Sequence, residues 1–274
     1  TGALAQIVST VVAEGGEDDL DGGAGDDVMI GGAGADVITD RAGASAVFGD
    51  SGRILLATSD ANGGLALSLV ETTSAASGGN DRITTGDLSD IIVGGAGADV
   101  IQAGDGTNMI FGDGGRFDFT GVLRDHAGPG DNVDPSDLDR AESVSPQVGG
   151  DDQITTGRGD DLVIGGAGAD VIRAGEGANV LLGDSGEVVG ARSDAPFMRF
   201  GLLPIVIWQV HSTVDDTAAG PDLIISGAGN DLVIGGGGGD TVRPGDGAND
   251  VIEGRGDLRF EETNLLAPVL VAPV

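Results

Sequence analysis

Twelve aspartates stand at spacings that suit the binding of metal ions. Each occupies the sixth position of a glycine-rich nonapeptide, and neighbours within a group are nine residues apart. They are Asp18, Asp27, Asp36, Asp81, Asp90, Asp99, Asp152, Asp161, Asp170, Asp222, Asp231 and Asp240. Calcium prefers carboxylate and carbonyl oxygens, whereas zinc favours His and Cys side chains. Because the chain has no Cys and only two His residues, the pattern predicts multiple Ca²⁺ sites with these aspartates as ligands.

The nonapeptide explains how the aspartates are positioned. Residues 165–173 show it plainly, with small residues at positions 1, 2 and 4, Asp at position 6 and an aliphatic residue at position 8. Near copies are residues 22–30, 31–39, 94–102 and 235–243. Glycine permits the positive φ angles of a tight turn, and the last three residues form a short strand with position 8 pointing inward. Two nonapeptides therefore make one flattened coil of two strands and two turns.

Stacking of such coils brings the aspartates together. The position-6 residues of every second nonapeptide lie at one edge, about 4.8 Å apart by the spacing of strands. Carboxylates in such a ladder repel one another unless a cation separates them. Calcium suits a mostly dry cage better than magnesium, which retains its water. Metal binding then supplies free energy of folding, because the sites do not exist in the unfolded chain.

The GGxGxDxUx nonapeptide resembles the RTX, or haemolysin-type, calcium-binding repeat of bacterial secreted proteins. The resemblance covers the repeat blocks, and a run of nonapeptides is a far more specific signal than a single copy. It implies an all-β fold, a calcium-stabilised parallel β-roll (β-solenoid) with hairpin-like inserts. It also implies calcium-dependent folding and export by a type I system. It does not imply toxin, protease or lipase activity, which resides in other domains of such proteins.

The repeats predict one continuous solenoid of four blocks, each with five nonapeptides. The expected blocks are residues 13–57, 76–120, 147–191 and 217–261. Inserts are expected at residues 58–75, 121–146 and 192–216, with the end of a preceding insert at 1–12 and the start of a further one at 262–274. Five nonapeptides make two and a half coils. Either each block turns its apolar outer face to the opposite side, or an insert strand completes a sixth position.

Two kinds of nonapeptide depart from the pattern. The fourth of each block carries a neutral residue at position 6, namely Ser45, Asn108, Asn179 or Asn249, which predicts weak or absent calcium at that turn. The fifth has no acid at position 6 and begins with Gly-Asp in three blocks, at Asp50, Asp113 and Asp184. These three aspartates either cap the last calcium or only shape the turn.

The inserts contain apolar runs that need a surface to cover. The runs are residues 65–70 and 202–210, the latter with Trp208, and the acidic stretch 131–142 is expected to be a loop. A turn at residues 62–64 suggests a hairpin. Positions 7 and 9 of the second and fourth nonapeptides are apolar, so we expect inserts, or a neighbouring chain, to pack over that sheet face. Trp208 then serves as a plug over the sheet or as an anchor for a partner.

Composition limits the partners of the chain. Its 274 residues include 53 glycines and carry a net charge of −32, with 45 acidic residues against 13 arginines. Such a chain repels itself without counter-ions. Nucleic acid and anionic membrane are poor partners, and no apolar run is long enough for membrane insertion. No signal-peptide pattern is visible at the start.

Several other patterns do not support catalysis or a different site. The Gly-Asp-Ser-Gly strings at 49–52 and 183–186 are similar to a serine-protease nucleophile loop, but Gly114 replaces the Ser in the second block. His126 and His211 do not recur between blocks and are expected in solvent-facing loops. The carboxylates at residues 131, 134, 137 and 139 do not match an EF-hand spacing, which favours a solvated acidic loop over an extra cation site. The chain is therefore not expected to be an enzyme.

The sequence predicts a calcium-binding structural or adhesive segment of a large secreted or cell-surface bacterial protein, located extracellularly. Both ends resemble parts of inserts, as expected for a segment of a longer tandem array. Besides calcium ions, the expected partners are neighbouring copies of the same array, through self-association into a fibre, surface layer or matrix. The alternative is a C-terminal secretion and folding module of an exported hydrolase or toxin.

Overall fold

The computed structural model describes residues 5–10, 14–58, 65–119, 137–190, 204–205, 207–213, 218–260 and 270–271. These residues form strands and turns, and none of them lies in a helix that is long and apolar enough to cross a membrane. The strands up to the first insert are β1 (Gln6–Val8), β2 (Asp19–Ala24), β3 (Val28–Ile30), β4 (Val37–Ala42), β5 (Ala46–Phe48) and β6 (Gly52–Thr58).

The remaining strands repeat the same order. The first insert and second block form β7 (Leu65–Thr72), β8 (Arg82–Thr84), β9 (Ile91–Val93), β10 (Val100–Gln102), β11 (Met109–Phe111) and β12 (Gly115–Asp118). Next come β13 (Arg140–Ser143), β14 (Gln153–Thr155), β15 (Leu162–Gly166), β16 (Val171–Arg173), β17 (Val180–Asp184) and β18 (Gly186–Gly190). The last are β19 (Ile207–Ser212), β20 (Leu223–Gly227), β21 (Leu232–Ile234), β22 (Thr241–Pro244), β23 (Asp250–Ile252), β24 (Asp257–Phe260) and β25 (Leu270–Val271).

The strands form three sheets. The first roll sheet is parallel, in the order β2-β4-β8-β10-β14-β16-β20-β22. The second roll sheet is also parallel, in the order β3-β5-β9-β11-β15-β17-β21-β23. The insert sheet is antiparallel, in the order β1-β6-β7-β12-β13-β18-β19-β24-β25. The chain alternates between the two roll sheets, which confirms the predicted all-β parallel β-roll.

The position-8 residues build the inner core between the two roll sheets. Each stacks on the position-8 residue of the neighbouring coil, as Ile101 does between Ile83 and Ile154. All three have no exposed surface, and the opposite sheet contributes side chains such as Ile92 and Val163 in the same way. The predicted inward orientation of position 8 is therefore confirmed, and the inner core is a narrow column of aliphatic side chains.

The inserts pack on the outer face of the second roll sheet. There Phe48, Phe111 and Leu182 at position 9 join one buried cluster with insert-sheet residues such as Ile54 and Phe117. The Phe111 and Phe117 ring centroids are 4.7 Å apart at an interplanar angle of 51°. We call this cluster the outer core. It confirms that inserts cover the apolar face, so the molecule has three layers of sheet.

The fifth nonapeptide of each block leaves the roll. Its strand, which is β6, β12, β18 or β24, belongs to the insert sheet. Each block thus adds four strands to the roll, two to each roll sheet. Because four is an even number, the apolar face stays on the second roll sheet in each described block. It does not turn to the opposite side from one block to the next, and no insert strand is needed to complete a sixth position of the coil.

Two expectations about the inserts were wrong. Residues 140–143 form strand β13 instead of an acidic loop, with Ala141 buried in the outer core. His211 lies in strand β19 instead of a loop, with Nε2 3.3 Å from the Glu187 carboxylate. Ile207 and Val210, not Trp208 between them, contribute to the outer core from β19. The turn at 62–64, residue His126 and the first two carboxylates of the acidic stretch lie outside the described residues.

Ion pairs connect neighbouring strands of the insert sheet. The strand register places Arg116 opposite both Glu71 and Glu142, so opposite charges alternate across three strands. The pairs between strands are Arg53 with Glu71, Arg116 with Glu142 and Arg140 with Glu187, while His211 Nε2 lies 3.3 Å from Glu187. Arg140 also lies 4.0 Å from Glu142 within β13. The sheet therefore has a buried apolar face toward the roll and a linked row of charges on its other face.

The outer core gives a direct prediction for stability. We expect Phe111→Ala to lower the free energy of unfolding by about 3–5 kcal/mol, because it removes a fully buried ring and leaves a cavity. Guanidinium denaturation at saturating calcium measures this. Val28→Ala is the control, since Val28 lies in the same sheet but is 43% exposed, and we expect it to cost below about 1 kcal/mol. Equal losses would mean that the insert sheet does not stabilise the roll.

Candidate metal centres at the two edges of the roll

The position-6 residues form a ladder along each edge of the roll. On the first edge, the backbone N–H of each aspartate donates to Oδ1 of the next, over distances of 2.7–3.1 Å. The members are Asp18, Asp36, Asp81, Asp99, Asp152, Asp170, Asp222 and Asp240. We call this the aspartate edge, because every member is a carboxylate. The predicted stacking of these eight residues is thus present along the whole roll.

The second edge alternates charged and neutral members. Backbone N–H groups again donate to the side-chain oxygen of the next member, over 2.8–3.1 Å. The members are Asp27, Ser45, Asp90, Asn108, Asp161, Asn179, Asp231 and Asn249. We call this the mixed edge. The sequence identified the neutral residues, but it did not show that all four share one edge and alternate there with carboxylates.

The second carboxylate oxygen of these aspartates lacks a partner. In eleven of the twelve, Oδ2 is buried and makes no hydrogen bond within the described residues. They are Asp27, Asp36, Asp81, Asp90, Asp99, Asp152, Asp161, Asp170, Asp222, Asp231 and Asp240. The twelfth, Asp18, is exposed at the first turn. A buried carboxylate oxygen without a partner is costly, so each of these groups needs a cation or a proton.

On the aspartate edge, glycine at position 1 keeps space open beside these oxygens. A Cβ added to Gly165 would lie 2.5 Å from Asp170 Oδ2 and 2.2 Å from the carbonyl oxygen of Gly183. The same contacts, with the equivalent aspartate and carbonyl, occur at Gly31, Gly49, Gly94, Gly112, Gly183 and Gly235. A carboxylate oxygen and a backbone carbonyl oxygen therefore converge on a space that any side chain would fill.

The donor atoms fit calcium. Among the described residues, no three side chains of His, Cys, Asp or Glu converge as they would in a zinc site. Each turn with a buried position-6 aspartate instead offers one carboxylate oxygen without a partner, and its further oxygens are backbone carbonyls. Hard cations with several oxygen ligands suit this set, so the position-6 aspartates and the turn carbonyls would hold calcium.

The comparison with known families agrees with this geometry. The RTX calcium-binding nonapeptide repeat matches the chain four times, at residues 10–53, 84–116, 148–187 and 216–251, which is more than half of its length. The chain belongs to the RTX repeat family. Repeats of this family bind several calcium ions per array and are structural, so the chain is a calcium-binding segment of an RTX-type protein. No curated protein and no solved structure matches the chain.

Electrostatics distinguish the two edges of the RTX roll. On the aspartate edge, burial and, to a smaller extent, neighbouring carboxylates raise the pKa of Asp99 to about 8 and that of Asp222 to about 9. Burial also raises the pKa of Asp170 well above its usual value. On the mixed edge, burial raises the pKa of Asp161 only to about 6, since Thr156 and Asn108 counteract the rise. Without a cation, the ionised form of the carboxyl group is therefore less favourable at Asp99 and Asp222 on the aspartate edge than at Asp161 on the mixed edge.

The aspartates of the fifth nonapeptides shape the turns where the chain leaves the RTX roll. Asp50 Oδ1 accepts the N–H of Gly79 at 3.2 Å, and its Oδ2 accepts the N–H of Ala96 at 2.5 Å. Asp113 accepts two backbone N–H groups in the same way, and Asp184 Oδ2 accepts that of Gly237. Asp50 and Asp113 thus join the departing chain to the returning chain and to the next coil, which favours turn shaping over the capping of a calcium for these two. Asp184 Oδ1 is buried without a hydrogen-bond partner among the described residues, so Asp184 has an oxygen left to cap a calcium.

Protonation of the aspartates at acidic pH should stabilise the fold in part when calcium is absent. On the aspartate edge, the carboxyl pKa of Asp81 lies at about 7 and that of Asp222 at about 9, both above the unfolded value of 3.8, mainly because these groups are buried. The folded state therefore binds more protons, and this contribution is lost as the pH rises through the folded pKa values. Far-UV circular dichroism of calcium-free protein should show more β-structure at pH 5.5 than at pH 8.5. Light scattering at both pH values controls for precipitation, and equal spectra from soluble protein would contradict the prediction.

Proposed function

We propose that this segment is a structural or adhesive spacer of a large secreted or cell-surface bacterial protein, and that it folds on reaching calcium outside the cell. The row of buried Oδ2 atoms without partners along the aspartate edge carries the proposal. These atoms make the fold conditional on a cation. Folding that depends on calcium suits a chain that is exported from the calcium-poor cytosol to a calcium-rich exterior.

The negative charge of the chain explains why its folding depends on calcium. At a net charge of −32, with carboxylates stacked along the roll, the chain without calcium repels itself and stays expanded. An expanded chain suits passage through a narrow export channel, such as that of a type I system. Extracellular calcium modules bind at roughly 0.1–1 mM, far above cytosolic calcium. Binding outside the cell then neutralises the ladder and stabilises the folded roll.

The geometry of the serines supports a structural role over catalysis. Ser51 and Ser185, in the strings that are similar to a protease loop, are each only 1% exposed. The Ser185 hydroxyl lies 3.4 Å from the carbonyl oxygen of Pro146, and His211 pairs with Glu187 in the insert sheet. Neither serine is presented to a substrate. The calcium, the three layers and the ion-pair row all serve to hold strands together.

Self-association is the second part of the proposal. Within the described residues, β2 and β22 are the outermost strands of the first roll sheet, and β3 and β23 are those of the second. Each offers backbone groups on one side for pairing with a further strand. Because both roll sheets are parallel, a further copy that stacks head to tail would continue their strand order, and repeated stacking would give a fibre, surface layer or matrix.

A calcium titration tests the proposed function. We expect β-structure to appear between micromolar and millimolar calcium, followed by particles much larger than one chain in light scattering. Magnesium at equal concentration should not replace calcium. Folding into monomers at every protein concentration would overturn self-association and favour the alternative, a secretion and folding module of an exported hydrolase or toxin. Folding that is complete below micromolar calcium would overturn the proposal that the chain stays unfolded until it is exported.

A further inference from the structure

The asparagine turns of the mixed edge satisfy their own carbonyl groups. Asn108 Nδ2 donates to the carbonyl oxygen of Gly104 at 3.2 Å, and Asn249 Nδ2 donates to that of Gly245 at 3.1 Å. Asn179 Nδ2 donates to the carbonyl oxygen of Ser226 at 3.1 Å. Ser226 belongs to the next coil, and within its own turn Asn179 Nδ2 donates to the carbonyl oxygen of Gly177 at 3.4 Å. None of these asparagines has the buried oxygen without a partner that characterises the aspartate turns.

An aspartate turn and an asparagine turn carry different groups at one equivalent position. In the aspartate turn of Asp170, the free Oδ2 and the carbonyl oxygen of Gly183 face the same space. Ser226 occupies the place in the asparagine turn that Gly183 occupies in the aspartate turn, at position 1 of the stacked nonapeptide. There, Asn179 presents an N–H donor to that carbonyl group instead of a second oxygen. Two facing oxygens need a cation between them, whereas an amide and a carbonyl group do not.

Position 1 of the same nonapeptides also differs from that of the aspartate edge. On the aspartate edge, glycine at this position keeps open the space beside Oδ2. The asparagine nonapeptides instead carry Ala103, Ala174 and Pro244 at position 1. Ala103 and Ala174 are buried, and both contribute to the inner core. Position 1 distinguishes the two edges, and the asparagine amide distinguishes the turns within the mixed edge, because three aspartate nonapeptides of that edge also carry a side chain at position 1, namely Thr85, Thr156 and Ser226.

We propose that the three asparagine turns close without calcium, with the asparagine amide in the place of the cation. Calcium then occupies the aspartate edge continuously and the mixed edge only in part. This rests on the calcium binding of the proposed function but not on secretion or assembly. The Ser45 turn is outside the proposal, because Asp40 at its position 1 brings a buried carboxylate with both oxygens unpaired in the described structure.

The number of bound calcium ions tests the proposal. Asn179→Asp combined with Ala174→Gly recreates an aspartate turn on the mixed edge, and we expect this double variant of the full chain to bind one more calcium than the wild type. The reverse variant, Asp170→Asn with Gly165→Ala, should bind one fewer. Equilibrium dialysis with radioactive calcium, at saturating concentration, counts the ions. Circular dichroism in the same buffer verifies the fold of each variant.

A matched control separates turn chemistry from added charge. Asn230→Asp makes the same chemical change at position 5 of a turn on the mixed edge, where the exposed Asn230 only accepts the Ala248 N–H at 2.9 Å. Its calcium count should equal that of the wild type. An unchanged count in the double variant, or a gain in the control as large as in the double variant, would overturn the proposal. A wild-type chain that binds no calcium would instead refute the proposed function itself.

Discussion

Removal of calcium from the folded protein should unfold all three sheets together at neutral pH. The aspartate edge loses its charge compensation, and the buried Oδ2 atoms of residues such as Asp99 and Asp170 have no other partner among the described residues. The inner core cannot compensate, because it is a single column of side chains between two sheets of short strands. We therefore expect loss of most of the far-UV β-signal after chelation.

The insert sheet makes this result informative, because its strands contain none of the predicted calcium ligands. Its apolar side chains, such as Val70, Phe117 and Val188, are buried in one cluster with side chains of the second roll sheet. Amide hydrogen exchange should show that β7, β12 and β18 lose protection at the same chelator concentration as β15 and β17. Magnesium in place of calcium is the control and should not preserve protection. An insert sheet that stayed protected after the roll had opened would contradict the prediction.

The roll could be predicted from the sequence because each nonapeptide carries its own structural information. Glycines at fixed positions determine the turn, and the aliphatic residue at position 8 determines which side of the strand is buried. Repetition of both with a constant period determines the stacking within a block, as the register of Ile83 with Ile101 and of Ile154 with Ile172 shows. A local rule that is repeated without gaps inside each block therefore predicts the arrangement of its coils.

The mixed edge could not be predicted in the same way, because it depends on how many strands each block adds to the roll. That number is set by the fifth nonapeptide, whose strand joins the insert sheet. Its apolar residues, such as Ile54 in β6, are buried in the outer core. Asp50 then closes the gap by accepting N–H groups from Gly79 and Ala96. Ser45 and the three asparagines fall on a single edge because the number of roll strands per block, four, is even.

The charged stretch before the third block was misinterpreted for a related reason. Acidic residues in a row indicated a loop, but Arg140 and Glu142 alternate with Ala141, which is buried in the outer core. The charges lie on the other face of the insert sheet, where Arg116 and Glu187 pair with them. Those partners come from strands distant in sequence, so the chain alone did not reveal that the charges are compensated.

Gly165→Ala should disable one calcium turn, which is the sharpest test of the site. The φ angle of Gly165 does not require glycine, so the substitution acts through space and not through backbone strain. The new Cβ would lie 2.2 Å from the Gly183 carbonyl oxygen and 2.5 Å from Asp170 Oδ2, so both groups must move. We expect at least a tenfold rise in the calcium concentration needed for folding, and a loss of about 1–3 kcal/mol of stability from overpacking at saturating calcium.

Gly254→Ala is the matched control, because its Cβ would meet only the Gly236 carbonyl oxygen, at 3.9 Å, and its φ is also not positive. We expect its folding midpoint in a calcium titration to equal that of the wild type. The comparison removes the general effect of glycine on the entropy of the unfolded chain, since both variants share it. Equal midpoints for the two variants would mean that the space beside position 1 does not hold the cation. The calcium would then have to contact the carboxylates from outside the turn, where a Cβ on Gly165 does not reach.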